Sequence, residues 1–286
     1  MAPSPVFKSG NLAVITGGAS GIGLALAGKC AGYGMNVLIL DNSGSNLNSA
    51  KAALAGKVET CEMDVSKTED WEKVKKNVEE KHAGKVDLLA LNAGIGLKGS
   101  WEDTAYFHKT MDVNFFGVVH GLSTFVPLIQ QTSTKDSPAH IIVTGSKQGI
   151  TNPPGNPAYN ASKSAVKTLT EHLSYDMSKS SPSTSVHLLV PGWVFTGLTG
   201  DTPFAQEKKA KPAGAWTGAQ VVDYLETKLA EGKFYIICPD NDVDEATDKK
   251  RMLWTAGDLV EGRPPLTRWR PEWKETAEEW MSKQKV

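Results

Sequence analysis

The chain has 286 residues, of which 40% are hydrophobic and 22% are charged, and its formal net charge is -1. A chain of this length can bury one large core, and a nearly neutral charge argues against binding to nucleic acid or to an anionic membrane surface. Cys30, Cys61 and Cys238 lie far apart and without paired histidines, which indicates reduced thiols in a cytoplasmic protein and no metal site.

The N-terminal segment has no basic region followed by an apolar run, so the sequence predicts no signal peptide. The longest apolar stretches are of strand length, far below the roughly 20 residues of a membrane span, so we expect no membrane association.

From residue 12 onward, short apolar runs alternate with helix-like stretches. Strands are predicted over 12–16, 36–40, 57–63, 86–91, 139–144, 185–190 and 233–238. Helices are predicted over 22–34, 44–55, 67–83, 102–131, 159–179 and 217–231. Several strands are apolar on both faces, which is typical of strands covered on both sides. The pattern predicts an α/β fold, a single Rossmann-type, doubly wound parallel sheet of about seven strands with helices on both faces.

The first predicted strand is followed by "TGGASGIG", which leads into helix 22–34. Glycines allow a tight turn and a close approach to a pyrophosphate, and the helix N-terminus attracts the anion. The spacing, G-x-x-x-G-x-G, is weak evidence alone, but it lies between a strand and a helix as a dinucleotide site requires. The candidate cofactor-binding residues of this loop are Gly17, Ser20, Gly21, Ile22 and Gly23.

Asp41 ends the second predicted strand, 18 residues beyond Gly23. An acidic residue there binds the adenosine ribose and repels a 2′-phosphate. The next residue is Asn42, where an arginine or lysine would be needed to hold that phosphate. NAD is therefore favoured, and NADP is possible. A helix N-cap is the structural alternative for Asp41. Asp64, with Val65 beside it, either contacts the adenine or caps helix 67–83.

Further motifs follow in chain order on the later elements. They are "LNAG" (91–94), "MDVNFFG" with Asn114, "VTGSKQG" with Ser146, "YNASK" with Tyr159 and Lys163, and "PGWVFT" (191–196). Together with the glycine loop, they resemble the short-chain dehydrogenase/reductase family from about residue 10 to 239. The resemblance implies an oxidoreductase that transfers a hydride between NAD(P) and an alcohol or carbonyl substrate.

The resemblance also implies a role for each matching residue. Tyr159 is the general acid or base, Ser146 holds the substrate oxygen, Lys163 binds the nicotinamide ribose, and Asn114 holds a water that connects Lys163 to solvent. Cofactor contacts are implied for Asn92, Ala93, Gly94, Tyr159, Lys163, Pro191, Gly192, Val194 and Thr196. Singly, Ser146 also fits a turn residue and Asn114 a buried polar group, but together the four indicate an enzyme.

The spacing of Tyr159 and Lys163 has a physical reason. Four residues are about one helical turn, so both side chains lie on one face of a helix. A tyrosine titrates near 10, and the lysine ammonium, with the positive nicotinamide of an oxidised coenzyme, favours the phenolate. Lowering the pKa by about 3 units requires roughly 4 kcal/mol.

The regions that set substrate choice are less constrained by motifs. We expect Gln148, Trp193 and Leu198 to line the substrate pocket, residues 193–216 to form a mobile lid, and Lys147 to be a solvated surface lysine. An apolar or aromatic secondary alcohol or ketone is favoured. Residues 1–239 are expected to form the dehydrogenase domain.

Residues 240–286 are predicted to form a C-terminal extension that packs either on this domain or on a neighbouring subunit. The family resemblance implies a homodimer or homotetramer. The alternatives are an NADPH-preferring reductase and a non-catalytic dinucleotide sensor.

Overall fold

The computed structural model describes residues 4–201, 204–205, 209–240 and 242–286. Its strands are β1 (Leu12–Thr16), β2 (Asn36–Asp41), β3 (Lys57–Glu62), β4 (Leu88–Leu91), β5 (Ala139–Thr144), β6 (Thr184–Val190), β7 (Val194–Phe195), β8 (Trp216–Thr217) and β9 (Tyr235–Ile237). Its α-helices are α1 (Gly21–Gly32), α2 (Gly44–Ala53), α3 (Thr68–His82), α4 (Thr104–Met111), α5 (Gly117–Thr132), α6 (Gln148–Thr151), α7 (Pro157–Ser180), α8 (Gly218–Ala230), α9 (Glu245–Val260) and α10 (Lys274–Lys283).

Seven parallel strands form one sheet in the order β3-β2-β1-β4-β5-β6-β9. Val14 of β1 pairs with Leu38 of β2 on one side and with Leu89 of β4 on the other. The strand order reverses at β1, and ligands of open α/β sheets bind at the carboxyl ends of the strands at such a switch point. The predicted fold class is confirmed.

The apolar residues of each strand divide between two cores, one on each face of the sheet. On β1, Val14 belongs to one core, whereas Ala13 and Ile15 belong to the other. This explains why the strands are apolar at consecutive positions, since helices cover both faces.

The helix predicted over 102–131 is interrupted. A π-helical turn, Asp112–Phe116, separates α4 from α5, and the Gly117 N–H donates to the Asp112 carbonyl. Such turns insert one residue into a helix and are frequent at functional sites. Within the described ranges, Thr104–Thr132 is the one helical run long and apolar enough to span a membrane by length and composition, a property shared by core helices. The expectation that the longest apolar stretches are only of strand length is therefore wrong for Thr104–Thr132.

The C-terminal extension has its own small core around Trp254. This buried side chain donates from Nε1 to Oγ1 of Thr267 at 2.9 Å, and its ring lies 5.5 Å from that of Trp280. The Arg263 guanidinium stacks on the other side at 3.9 Å from the ring centre. Helix α9 also packs against α6 of the main body.

Two buried histidines link β5 to β6. His187 donates from Nδ1 to the Lys233 carbonyl at 2.7 Å, which leaves its Nε2 to accept from Nδ1 of His140 at 2.9 Å. His140 is then left to accept from Ser4 at 3.3 Å. Burial, with the neighbouring His187, lowers the pKa of His140 to about 3, and burial lowers the pKa of His187 although its bond to Lys233 opposes this.

We expect this pair to destabilise the fold in mild acid. An unfolded histidine takes up a proton near its ordinary pKa of 6.5, whereas folded His140 stays neutral down to about 3. The free energy of unfolding should therefore fall below pH 6.5, by roughly 1.4 kcal/mol per pH unit for His140, and the lowered pKa of His187 adds a loss of the same sign. Urea unfolding at about pH 7.5 and about pH 5.5 measures the loss. The double variant His140→Leu/His187→Leu should lose less unfolding free energy between these two pH values than the wild type, and an equal loss would contradict the prediction. His108→Leu, on the exposed side of α4, is the control.

Candidate active site

The loop between β1 and α1 has the backbone that its glycines predict. Gly17 and Gly21 adopt positive φ angles of 62° and 52°. A Cβ at Gly23 would lie 2.2 Å from the Gly17 carbonyl oxygen, and one at Gly21 would lie 2.9 Å from the Thr196 side chain. Larger residues are excluded at these positions, so the loop folds tightly against the start of α1.

The same loop presents the N-terminus of α1. Ser20 is the N-cap, but its side chain makes no capping bond, and Ile22 lies in the first turn. The first turn of a helix leaves N–H groups without intrahelical partners and carries a partial positive charge. This cradle fits the pyrophosphate of a dinucleotide.

The two acidic candidates near the adenosine end are held by backbone amides rather than capping helices. Asp41 accepts from the N–H groups of Ala19 and Ser43, each at 3.1 Å, and Ser43 itself is the cap of α2. The N-cap interpretation of Asp41 is therefore wrong. Its carboxylate lies beside the glycine loop.

Asp64 is likewise not a helix cap, because α3 begins after Lys67. Its Oδ1 accepts from the N–H and the hydroxyl of Ser66 at 3.0 and 2.6 Å. Burial raises the pKa of Asp64, but the hydrogen bonds from Ser66 and the charges of Lys109 and Lys67 together lower it. Val65, next to Asp64, is buried and accepts from Trp71 Nε1 through its carbonyl.

Asn92 joins the ends of three adjacent strands. Its Nδ2 donates to the Thr16 carbonyl at 3.3 Å, and its Oδ1 accepts from the Thr144 hydroxyl at 3.2 Å. The Thr16 hydroxyl accepts from the N–H groups of Asn92 and Ala93. A Cβ at Gly94 would lie 3.6 Å from Lys163 Nζ, so Gly94 keeps the chain close to the lysine.

Tyr159, Ser146 and Lys163 meet at the carboxyl end of β5. Burial raises the pKa of the Tyr159 hydroxyl, and the neighbouring Ser146 hydroxyl lowers it. Lys163 is buried, donates from Nζ to the Thr144 carbonyl at 2.9 Å and lies 5.8 Å from the centre of the Tyr159 ring. Burial lowers the pKa of Lys163 to about 8.

Asn114 is fully buried behind this group, in the π-helical turn. Its Oδ1 accepts from the Ile95 N–H at 2.8 Å, and its Nδ2 donates to the Ile95 carbonyl and to Ser162. Both N–H groups of the amide are therefore used by the protein, so the expected role as a water ligand finds no free donor on this side chain.

Asn156, which was not among the residues predicted from the sequence, caps the helix of Tyr159. Its Oδ1 accepts from the Tyr159 N–H at 3.2 Å and from the Tyr106 hydroxyl, and its Nδ2 donates to the Leu97 carbonyl at 2.9 Å. An asparagine followed by a proline is the start signal of a helix, and Pro157 is the first residue of α7. The signal was present in "GNPAY".

The loop after β6 closes the site from the other side. The Pro191 carbonyl accepts from the Lys147 N–H at 3.2 Å. Gly192 leaves room for the Lys147 ammonium, because a Cβ at position 192 would lie only 2.7 Å from Lys147 Nζ. Val194 is buried and starts β7, and Thr196 packs on the glycine loop at Gly21. The glycine loop and loop 191–196, the two motifs expected to contact the coenzyme, are therefore adjacent.

Lys147 is not the solvated lysine that was expected. Its side chain is 12% exposed and forms ion pairs with Asp240 and Asp248. These acids follow the last strand of the sheet, beyond the range of any local sequence pattern.

The candidate substrate residues lie at the surface. Gln148, Trp193 and Leu198 are exposed, and Leu198 packs on Gly96, where a Cβ would lie 3.1 Å from its Cδ1. Of the predicted lid, 202–203 and 206–208 lie outside the described residues, whereas β8 pairs with β7 in a small second sheet.

Fold and site together define a dinucleotide-binding α/β protein with a serine, a tyrosine and a lysine beside the binding cradle. A family model of short chain dehydrogenases matches residues 11–207. The chain belongs to the short-chain dehydrogenase/reductase family.

Several known proteins resemble the chain over most of its length. An NADP-dependent (R)-specific alcohol dehydrogenase from Lentilactobacillus kefiri is 30% identical over 80% of this chain and 95% of its own. A short-chain dehydrogenase/reductase from Burkholderia phymatum, solved with NAD, superposes with a TM-score of 0.77 at 30% identity, over 90% of this chain and 96% of its own. An alcohol dehydrogenase from Thermococcus sibiricus, solved with 5-hydroxy-NADP, has a TM-score of 0.64 at 27% identity, over 77% and 90%.

Proposed function

We propose that the protein is an NAD(H)-dependent alcohol dehydrogenase or carbonyl reductase that acts on apolar or aromatic secondary alcohols and ketones. The observation that carries the proposal is the half-buried Tyr159, whose hydroxyl neighbours Ser146 and which is followed by the buried Lys163 one turn along α7. A sensor that binds a dinucleotide without turnover leaves this arrangement without a purpose.

In the proposed reaction, the bound nicotinamide coenzyme accepts or supplies the hydride. Tyr159 takes the hydroxyl proton when an alcohol is oxidised and returns it when a carbonyl is reduced. Ser146 donates to the substrate oxygen as negative charge develops there. Lys163, anchored on the Thr144 carbonyl, places a positive charge behind the tyrosine and is within the same pocket as Gly94.

The pKa of Tyr159 supports a contribution from the coenzyme. In the protein alone, burial outweighs the effect of Ser146 and raises the pKa of Tyr159, opposite to the lowering expected for the enzyme with its oxidised coenzyme. Since Lys163 is already present, we infer that the positive nicotinamide ring supplies a large part of that lowering. Alcohol oxidation should then gain rate as pH rises, because it requires the phenolate.

The polar residues assigned to the coenzyme have complementary tasks. The cradle of Gly17, Gly21 and Gly23 holds the pyrophosphate, and Asp41 accepts from the adenosine ribose. Asp41 also places a negative charge where NADP carries its 2′-phosphate. We therefore propose NAD as the preferred coenzyme, although similar proteins are described with either NAD or NADP.

A coenzyme comparison tests this assignment. We expect kcat/KM for NAD(H) to exceed that for NADP(H) by at least ~10-fold, since a like-charge contact in a binding site costs several kcal/mol. Asp41→Asn should reduce the preference mainly by improving NADP(H). Initial rates with a panel of apolar secondary alcohols and ketones measure both. Faster turnover with NADP(H) would refute the role of Asp41, and binding of NAD(H) without turnover of any alcohol or ketone would favour the sensor.

A further inference from the structure

One buried ammonium group ties the C-terminal extension to the candidate active site. Lys147 directly follows Ser146, and its Nζ lies 2.5 Å from Oδ2 of Asp248 in α9 and 3.3 Å from Oδ2 of Asp240. The three side chains are 12%, 3% and 11% exposed. Three charged groups are thus withdrawn from water beside the serine.

Asp240 connects the same ammonium to the loop after β6. Its Oδ2 accepts from the Trp193 N–H at 3.4 Å, and a Cβ at Gly192 would lie 2.5 Å from that oxygen. The main chain joins the two loops as well, through the bond from the Lys147 N–H to the Pro191 carbonyl. Displacing the ammonium would therefore disturb both loops.

The partner helix α9 is well fixed at its distal end. Asp258 accepts from Arg263 Nε at 3.0 Å and from the Thr267 N–H at 3.0 Å, and the Arg263 guanidinium stacks on the Trp254 ring. Helix α9 also packs on α6, which starts at the residue after Lys147. The extension thus presents Asp248 to the serine loop from a braced helix.

The charges of Lys147, Asp240 and Asp248 do not cancel one another. Two carboxylates face one ammonium, and burial raises the pKa of Asp248 while Lys147 and Arg251 lower it. Arg268 adds a further interaction with Asp248 from the extension. A buried ion pair gives little stability beyond that of a hydrophobic contact, but the loss of one partner leaves a costly unpaired charge. Such a group serves best to impose one arrangement on the segments it joins.

We propose that Lys147 is a positioning residue through which the C-terminal extension holds the Ser146 loop and loop 191–196 in register with Tyr159. The proposal rests on the proposed function, since Ser146 and Tyr159 are its reacting groups. Without the ion pair to Asp248, the contact between α9 and α6 loosens, and Ser146 is no longer held beside the Tyr159 hydroxyl.

Hydrogen exchange measured by mass spectrometry tests whether the ion pair of Lys147 with Asp248 holds these two loops (the tie), and it needs no turnover. In Asp248→Asn, peptides covering 145–151 and 191–196 should exchange at least ~10-fold faster than in the wild type, whereas peptides of β1 and β2 should not change. Lys29→Met is the matched control, because Lys29 also bridges two acids, Asp223 and Glu226, but between α1 and α8. It should leave both loops unchanged.

Kinetics separate positioning from general stability. In Asp248→Asn, kcat should fall by ~10–100-fold and by more than NADH affinity, because loop 191–196 loosens whereas the adenosine end of the site is untouched. The apparent pKa of kcat for alcohol oxidation should rise, since Ser146 lowers the pKa of Tyr159. A stabilising role alone would lower the unfolding temperature without moving this pKa.

The outcomes are distinct. Unchanged exchange over 145–151 in a folded Asp248→Asn variant overturns the tie, whatever the turnover of the wild type. Absence of turnover in the wild type refutes the proposed function, and exchange still decides the tie. If Asp248→Asn does not fold, Asp248→Glu is used in its place, since this variant keeps the charge but changes its position. Faster exchange of the same peptides in Asp248→Glu supports the tie, and exchange at the wild-type rate overturns it.

Discussion

Tyr159→Phe should lower kcat by about 10²- to 10⁴-fold while coenzyme affinity stays within about 2-fold. The variant removes one oxygen atom, so the ring still fills the same half-buried position beside Lys163. It also removes the partner of Ser146, the proton donor or acceptor of the proposed reaction. Steady-state rates with NAD(H) and a ketone or alcohol that the wild type turns over, together with NADH titration by fluorescence, measure both effects.

Tyr235→Phe is the matched control for this variant. Its hydroxyl donates to Glu171, away from the coenzyme cradle, and the substitution again removes only an oxygen. We expect wild-type kcat and KM. If Tyr159→Phe kept more than about a third of the wild-type kcat, Tyr159 would not be the general acid or base, and a different proton donor would have to be sought.

Those parts of the fold and site that depend on short sequence spacing could be predicted from the sequence. Strands that are apolar at consecutive positions require cover on both faces, which led directly to a parallel doubly wound sheet. The glycine loop and the pair Tyr159 and Lys163 follow from spacings of a few residues on known elements. Their side chains meet as expected, with Ser146 at the end of β5.

The π-helical turn at Asp112–Phe116 could not be predicted in the same way. One inserted residue hardly changes the apolar pattern of a long helix, so 102–131 was predicted as continuous. The turn is stabilised by a distant partner, since the Asn114 amide bonds to the backbone of Ile95 after β4. A contact between separate elements leaves no periodic signal.

Lys147 illustrates the same limit for charges. A lysine in a polar turn is usually solvated, and its burial is acceptable only because Asp240 and Asp248 reach it from the end of the chain. Those partners lie 93 and 101 residues further along the chain. Their pairing depends on how the C-terminal extension folds back, which local patterns do not encode.

Gly23→Ala should raise the dissociation constant of NADH by at least ~10-fold, because overpacking of a tight backbone contact costs about 1–3 kcal/mol and also displaces the loop that binds the anion. The added methyl group would lie 2.2 Å from the Gly17 carbonyl oxygen and 2.9 Å from Nδ2 of Asn92, so either α1 or the loop must move. Movement of α1 withdraws the helix N–H groups from the pyrophosphate, and movement of Gly17 disturbs Asn92, which joins β1 to β5. Both responses damage the same cradle.

Gly32→Ala provides the internal comparison, because it makes the same chemical change in the same helix. A Cβ at Gly32 would meet nothing within 4 Å, and its φ is not in the positive range. Alanine there should leave NADH binding unchanged and stabilise the fold by up to about 1 kcal/mol, because alanine loses less backbone entropy than glycine in a helix. Fluorescence titration with NADH and urea unfolding of both variants measure the two effects separately. A folded Gly23→Ala protein that binds NADH within about 3-fold of the wild type would show that the coenzyme does not depend on the close approach of α1 to the loop, and the cradle assigned here to the pyrophosphate would have to lie elsewhere.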